Sequence, residues 1–237
     1  MKSRKTTTLV ITLVSVFAAL DIVLSAIPFI TYGPSAAVFL KPSEGIFLGP
    51  WGGMLAAFVG GLVSSLIWPS TAVLSFATWI PGTLGALLAG LMVKGKWMWA
   101  ISLMTAVIAA FILHPYGLSV FFYADWDKVI ALFLIFPTSR LIKRNMTSNM
   151  TVKSLMPIVG LVAFTATEMD GASGNLIFII MAGPVFGLTQ AMLPPLFIPY
   201  TFLDCGVRIL TAIVCAVVLT PVLVAAQKVN VLKWPLT

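Results

Sequence analysis

Long apolar runs, cut by proline, glycine and charged breaks, set the pattern of this chain: 9–30, 46–67, 71–93, 98–114, 128–143, 154–167, 176–193 and 200–226. Runs of roughly 17–25 apolar residues match the length a helix needs to cross a hydrocarbon core of about 30 Å. Strands need far fewer residues, so the pattern predicts an all-α fold: a polytopic integral membrane helical bundle of six to eight transmembrane helices. Runs 128–143 and 154–167 are short for a full crossing, which suits a tilted, re-entrant or interfacial segment. No linker, low-complexity tract or soluble remainder is visible, and residues 1–237 read as a single transmembrane domain.

Composition agrees, with 60% hydrophobic and 9% charged residues and a mean hydropathy of +1.08. The net charge of +7 would suggest nucleic acid in a soluble protein. Here Lys2, Arg4, Lys5, Lys94, Lys96, Arg140, Lys143, Arg144, Lys153, Lys228 and Lys233 cluster at span ends. That is the signature of membrane topology and lipid headgroup contact, and no nucleic-acid partner is expected. The basic start and the apolar run to Ser25-Ala26 imitate a signal peptide. The run's length and its Asp21 favour a retained first helix. Eight spans would put both termini on one side but leave Lys94, Lys96 and the Arg140–Lys153 group on the other. An extra half-crossing between Thr31 and Ser43 would repair the middle loops at the cost of exporting the C-terminus.

Against this background Asp21, Glu44, Glu168, Asp170, Asp204 and Arg208 lie in or beside apolar runs. Charges at such depth cost several kcal/mol, on the order of 2.5–3.5 on insertion scales, so they face a bundle interior or cavity. Asp21 invites either neutralisation, by Arg208 or a proton, or a role as ligand or proton contact. Asp204 and Arg208, four apart, share a helix face and are expected to form a structural ion pair, with ligand binding as the alternative. Glu168-Met-Asp-Gly-Ala-Ser-Gly-Asn175 reads as a polar, glycine-bearing break, either a solvated loop or a site able to orient a small polar molecule. His114 opens a segment with Phe121, Phe122, Tyr123 and Trp126, either an interfacial aromatic belt or a lid over a ring-containing ligand.

Small residues recur at helical spacing in Gly45/Gly49/Gly53, Ala56/Gly60, Ala57/Gly61, Gly82/Ala86/Gly90 and Gly183/Gly187. They let helix backbones approach closely, within this chain or against another membrane subunit. Cys205 and Cys215 fall in one helix about 15 Å apart along its axis, too far for a disulfide. One histidine without companions makes a metal site weak. No phosphate-binding loop, nucleophile elbow or paired-cysteine zinc pattern is present, so neither enzymatic activity, a cofactor nor a metal is expected.

Three pieces carry a resemblance: the basic start leading into Leu13-Val-Ser-Val-Phe-Ala-Ala-Leu-Asp-Ile-Val-Leu-Ser-Ala-Ile-Pro28, the block Leu48-Gly-Pro-Trp-Gly-Gly-Met-Leu-Ala-Ala-Phe-Val-Gly-Gly61, and a last helix from Pro199 to Thr220. Over about a third of its length the chain resembles the substrate-binding S components of energy-coupling factor transporters. The resemblance implies a six-span bundle in the cell membrane that captures a vitamin or related micronutrient outside the cell. It also implies docking onto a transmembrane coupling subunit that carries two ATPase subunits. The family's Ala-x-x-x-Ala docking face on the first helix has Ser15 and Ala19 as its nearest equivalent here. The histidine near the N-terminus on which the cobalt and nickel branch relies is missing, which disfavours a metal-ion substrate.

The expected ligand is small, partly aromatic, and neutral or cationic, because carboxylates outnumber cations in the candidate site. Glu44, Trp51 and Trp79 are expected as one wall, and His114, Glu168, Asp170 and Asn175 as polar contacts. Two rivals stand beside this reading. One is an autonomous ion-coupled transporter using Asp21 or Glu168 as a proton relay; the other is a membrane enzyme acting on lipid through the 168–175 segment.

Overall fold

A computed structural model describes residues 2–29, 35–69, 72, 74–145 and 151–228. Nine α-helices carry the described chain: α1 Lys2–Ser25, α2 Lys41–Ile67, α3 Trp79–Val93, α4 Trp97–Leu113, α5 Gly117–Ala124, α6 Trp126–Asn145, α7 Val152–Ala182, α8 Leu193–Phe197 and α9 Tyr200–Lys228. The fold is all-α, and β pairing among the described residues is limited to one isolated bridge between Pro28 and Ser35. Five helical segments are long and apolar enough to cross a membrane: Thr8–Ser25, Lys41–Ile67, Ser75–Val93, Val152–Ala182 and Tyr200–Ala226. Trp97–Leu113 is a shorter apolar helix beside them.

The second helix is two limbs. Gly49 adopts φ 81°, a left-handed conformation that glycine tolerates, and Pro50 follows it at the start of a new helical run, where its missing N–H costs nothing. The limbs 41–48 and 50–67 then run antiparallel. A methyl group added to Gly53 would lie 2.5 Å from the Cα of Gly45, and one on Gly61 would lie 3.6 Å from Nζ of Lys41. In a straight helix residues 45 and 53 would stand about 12 Å apart. The short limb also lies along α3: a Cβ on Gly45 would strike Ala86, and one on Gly90 would strike Gly49 and Pro50. The small-residue repeats expected to allow close approach are therefore spent inside the chain, packing an inward half-helix whose residues 41–50 are all buried.

Residue contacts fix the direction of the other helices. Phe17 meets Phe47 and Asp21 meets Lys41, so α1 runs against the short limb. Trp97 meets Phe136, setting α4 against α6. Lys128 faces Glu168 and Asn175 bonds to Asp125, setting α6 against α7. Gly160 faces Ala216 and Gly171 faces Arg208, setting α7 against α9. Six helices thus alternate end to end, with the 41–67 hairpin entering and leaving at one end. The start of α1, the turn with Lys94 and Lys96, the end of α6 with Arg140, Lys143 and Arg144, Lys153 of α7 and the end of α9 share the opposite end. The half-helix repairs the charge pattern and keeps the described ends of the chain together. Thr31 and Lys233 lie outside the described residues.

Two expectations are corrected. Runs 154–167 and 176–193 are not separate spans, because α7 continues through Glu168–Asn175. Its start carries a reciprocal cap: Thr151 Oγ1 accepts from the Ser154 amide at 3.3 Å, and Ser154 Oγ accepts from the Thr151 amide at 3.2 Å. Gly183 and Gly187 do not line a helix face. Gly183 ends α7, and Gly187, at φ 64°, lies in the following turn.

Candidate functional site

A cavity of about 490 Å³ lies at the end of the bundle away from the basic residues. Its walls come from the end of α1, residues 35–41, the outer part of α2, the start of α3, the α5–α6 junction, the 170–178 stretch of α7, and α8 with the start of α9. The charged side chains on its surface are Lys41, Asp170, Asp204 and Arg208.

Three of these four are held by neighbours. Lys41, on the first turn of the short α2 limb, pairs with Asp21 Oδ2 and points a further contact at the Ala57 carbonyl, 3.4 Å away. The pair crosses at Gly60, where any side chain would strike the Asp21 carboxylate. Arg208 grips Asp204 in two-pronged fashion, Nε to Oδ2 at 3.0 Å and Nη2 to Oδ1 at 2.7 Å, the ion pair expected from their spacing. It also donates to the Thr167 carbonyl and lies 3.5 Å from Glu168 Oε2. Behind it Lys128 Nζ sits 2.8 Å from Asp127, 2.9 Å from Asp204 and 3.4 Å from Glu168. Buried charges survive by mutual compensation of this kind.

Asp170 differs. It is half-buried on the cavity wall, and among the described residues no hydrogen bond or ion pair takes up its carboxylate. Five residues further along α7, Asn175 lines the same cavity and donates through Nδ2 to Asp125 Oδ1 at 2.9 Å and to the Ala124 carbonyl at 3.0 Å. Asp125 lies in the α5–α6 turn, outside the long helices. Burial pushes its carboxyl up to about 6, against the opposing pull of Lys128 and the Asn175 hydrogen bond. The apolar side of the cavity carries Phe178, Phe197, Tyr123 and Tyr200, with the Phe178 and Phe197 rings edge-to-face at 5.7 Å.

Of the seven side chains expected to contact a ligand, the structure brings only Asp170 and Asn175 to the cavity. Glu44 is fully buried beneath it on the short limb, with neither oxygen hydrogen-bonded. Trp51 is 62% exposed on the bundle's outer surface, and Trp79 stacks edge-on against Phe58 at 4.9 Å. His114 closes α4 and accepts from the Tyr116 amide at 3.3 Å. Glu168 belongs to the ion network rather than the wall. Its segment is neither a loop nor a polar break: Gly171 stays small because a Cβ there would fall on the Arg208 guanidinium.

Lys41 and the aromatics of α7–α9 were not anticipated. The belt-or-lid alternative divides residue by residue, since Phe122 is strongly exposed while Tyr123 lines the cavity. Ser15 and Ala19 both face outward on α1. Cys205 and Cys215 are free thiols, and Cys215 packs against Ser43 Oγ at 3.2 Å.

Comparison with protein-family models, with curated proteins and with solved structures finds no match.

Proposed function

We propose that this chain is a membrane-embedded substrate-capture subunit, of the kind represented by the S components of energy-coupling factor transporters. It takes up a vitamin-like micronutrient and is energised by separate ATPase subunits. One observation carries the reading: the cavity occupies the end of the bundle opposite Lys94, Lys96, Arg140, Lys143, Arg144 and Lys153. Basic loops stay cytoplasmic, so the cavity faces the exterior of the cell membrane, where a capture subunit meets its ligand. Its volume falls in the range of small-molecule sites, about 300–1,000 Å³. The outward face of α1 at Ser15 and Ala19 is the proposed seat of the coupling subunit. The chain carries no phosphate-binding loop of its own, which assigns ATP hydrolysis to partners.

The test is uptake in proteoliposomes. The purified chain alone should bind but not accumulate ligand, and accumulation should require co-purified partners with ATP.

A second reading draws on Glu44, whose two carboxylate oxygens are buried without a hydrogen-bond partner beside the Asp21–Lys41 pair. An intramembrane acid so placed suits a proton relay in an autonomous ion-coupled transporter. Uptake by the isolated chain under a pH gradient, without nucleotide, would establish that reading in place of the first.

A further inference from the structure

We infer that the cavity selects an organic cation with an aromatic body, and that Asp170 is its counter-ion. This rests on the capture-subunit reading and narrows its ligand from neutral or cationic to cationic.

The charge balance around the cavity points one way. The whole chain has seven acidic residues, and all of them, Asp21, Glu44, Asp125, Asp127, Glu168, Asp170 and Asp204, lie in the half of the bundle that holds the cavity or directly beneath it. Three cations answer them there: Lys41, Lys128 and Arg208. An incoming anion would add to the excess of carboxylates. It would meet Lys41 and Arg208 only as cations already shared with Asp21, Asp204 and the Thr167 carbonyl, competing with acids that depend on them. A cation meets no such competition, because Asp170 faces the cavity with no hydrogen bond or ion pair to its oxygens among the described residues, and Arg208 and Lys41 act on it only at longer range.

The apolar lining fits the same guest. Phe178 and Phe197 present an edge-to-face pair, and Tyr123 and Tyr200 add two further rings. Aromatic faces attract cations through the ring quadrupole, and more strongly when the site is desolvated. They also stack with a planar ligand body. A cationic centre near Asp170 with a ring among Phe178, Phe197 and Tyr200 would satisfy both halves of the cavity at once.

Four indole compounds of different charge test this on the detergent-purified full chain: tryptamine, a cation; tryptophol, neutral; indole-3-acetate, an anion; and L-tryptophan, a zwitterion. Equilibrium dialysis should show tryptamine binding at least tenfold more tightly than any of the others. The Asp170→Asn variant should bring tryptamine to within about threefold of tryptophol, and a cooperative melting transition in detergent should show that the variant is folded. Tighter binding of indole-3-acetate or L-tryptophan, a preference for tryptamine that survives Asp170→Asn, or no binding of tryptamine at millimolar concentration would overturn the inference. No partner enters this assay. Its failure would revise the ligand class alone, whereas failure to find coupling partners would revise the capture-subunit reading.

Discussion

The ammonium of Lys41 pairs with the carboxylate of Asp21, tying the short inward limb of α2 to α1 beneath the cavity. The Asp21 carboxylate is fully buried and its other oxygen has no hydrogen-bond partner, so Lys41 is the cation that makes its position tolerable. The same ammonium is one wall of the cavity, which joins the stability of the half-helix to the shape of the site.

Removing one member of this pair should therefore cost far more than removing both. Lys41→Met leaves Asp21 uncompensated, a change worth about 3–5 kcal/mol for buried pairs. The double variant Asp21→Leu with Lys41→Met should recover most of that loss. Thermal unfolding in detergent, run as a double-mutant cycle, measures the difference. Additive losses would show that the pair is not coupled.

Gly45→Ala and Gly90→Ala should each destabilise by about 1–3 kcal/mol through overpacking, because the added methyls meet the backbone at Ala86 and at Gly49–Pro50. Gly206→Ala supplies the control. Nothing lies within 4 Å of a Cβ there, and helix propensity should make the change neutral or stabilising by about 0.5–1 kcal/mol. Melting temperatures of the three variants decide the matter, and equal losses at all three would contradict the packing of the half-helix.

Asp125 predicts a pH dependence of definite sign. Its carboxyl, ordinarily at 3.8, rises to about 6 in the folded chain through burial. The folded state therefore holds the proton to higher pH than the unfolded one. The stability this contributes is complete below 3.8 and is lost as pH rises through about 6. Asp125→Asn removes the titration and can still accept from Asn175. Between pH 4 and pH 7 the wild-type melting temperature should fall relative to that of Asp125→Asn; a constant difference between the two curves would contradict the assignment.

Side chains that sequence reasoning placed at the site but the fold keeps away from it should be silent in ligand binding. Trp51→Ala should leave affinity within about twofold, since its ring faces outward, whereas Phe197→Ala should weaken it by about tenfold or more, the scale of one lost aromatic contact. Ligand titration of the two variants distinguishes them, and a large loss at Trp51 would place the site elsewhere.

What the sequence made legible was local. Apolar run lengths gave the helical bundle, spacing of four gave the Asp204–Arg208 pair, and the glycine and alanine stripes gave close packing. The parts that escaped depend on partners distant in the chain. Glu168–Asn175 looks like a polar break because nothing nearby compensates its carboxylates; Lys128 and Arg208 reach Glu168 from α6 and α9 and let the helix continue. Gly171 resembles a turn residue although its role is to leave room for Arg208. One usable signal lay in subtraction. Of the 14 lysines and arginines, Lys41, Lys128 and Arg208 are the three that stand apart from the basic groups at the termini and in the 94–96 and 140–153 segments, and each pairs with a buried acid. Trp51 and Trp79 were drawn toward the site by residue type alone, and type cannot tell the lipid-facing side of a helix from its inner one.

The most direct measurement is affinity purification of the tagged chain in mild detergent from the cells that make it, with co-purifying proteins and small molecules identified by mass spectrometry. Recovery of a membrane coupling subunit, two ATPase subunits and a cationic, ring-bearing small molecule is the predicted result. A solitary chain that nevertheless accumulates ligand in liposomes under a pH gradient, without nucleotide, would contradict it.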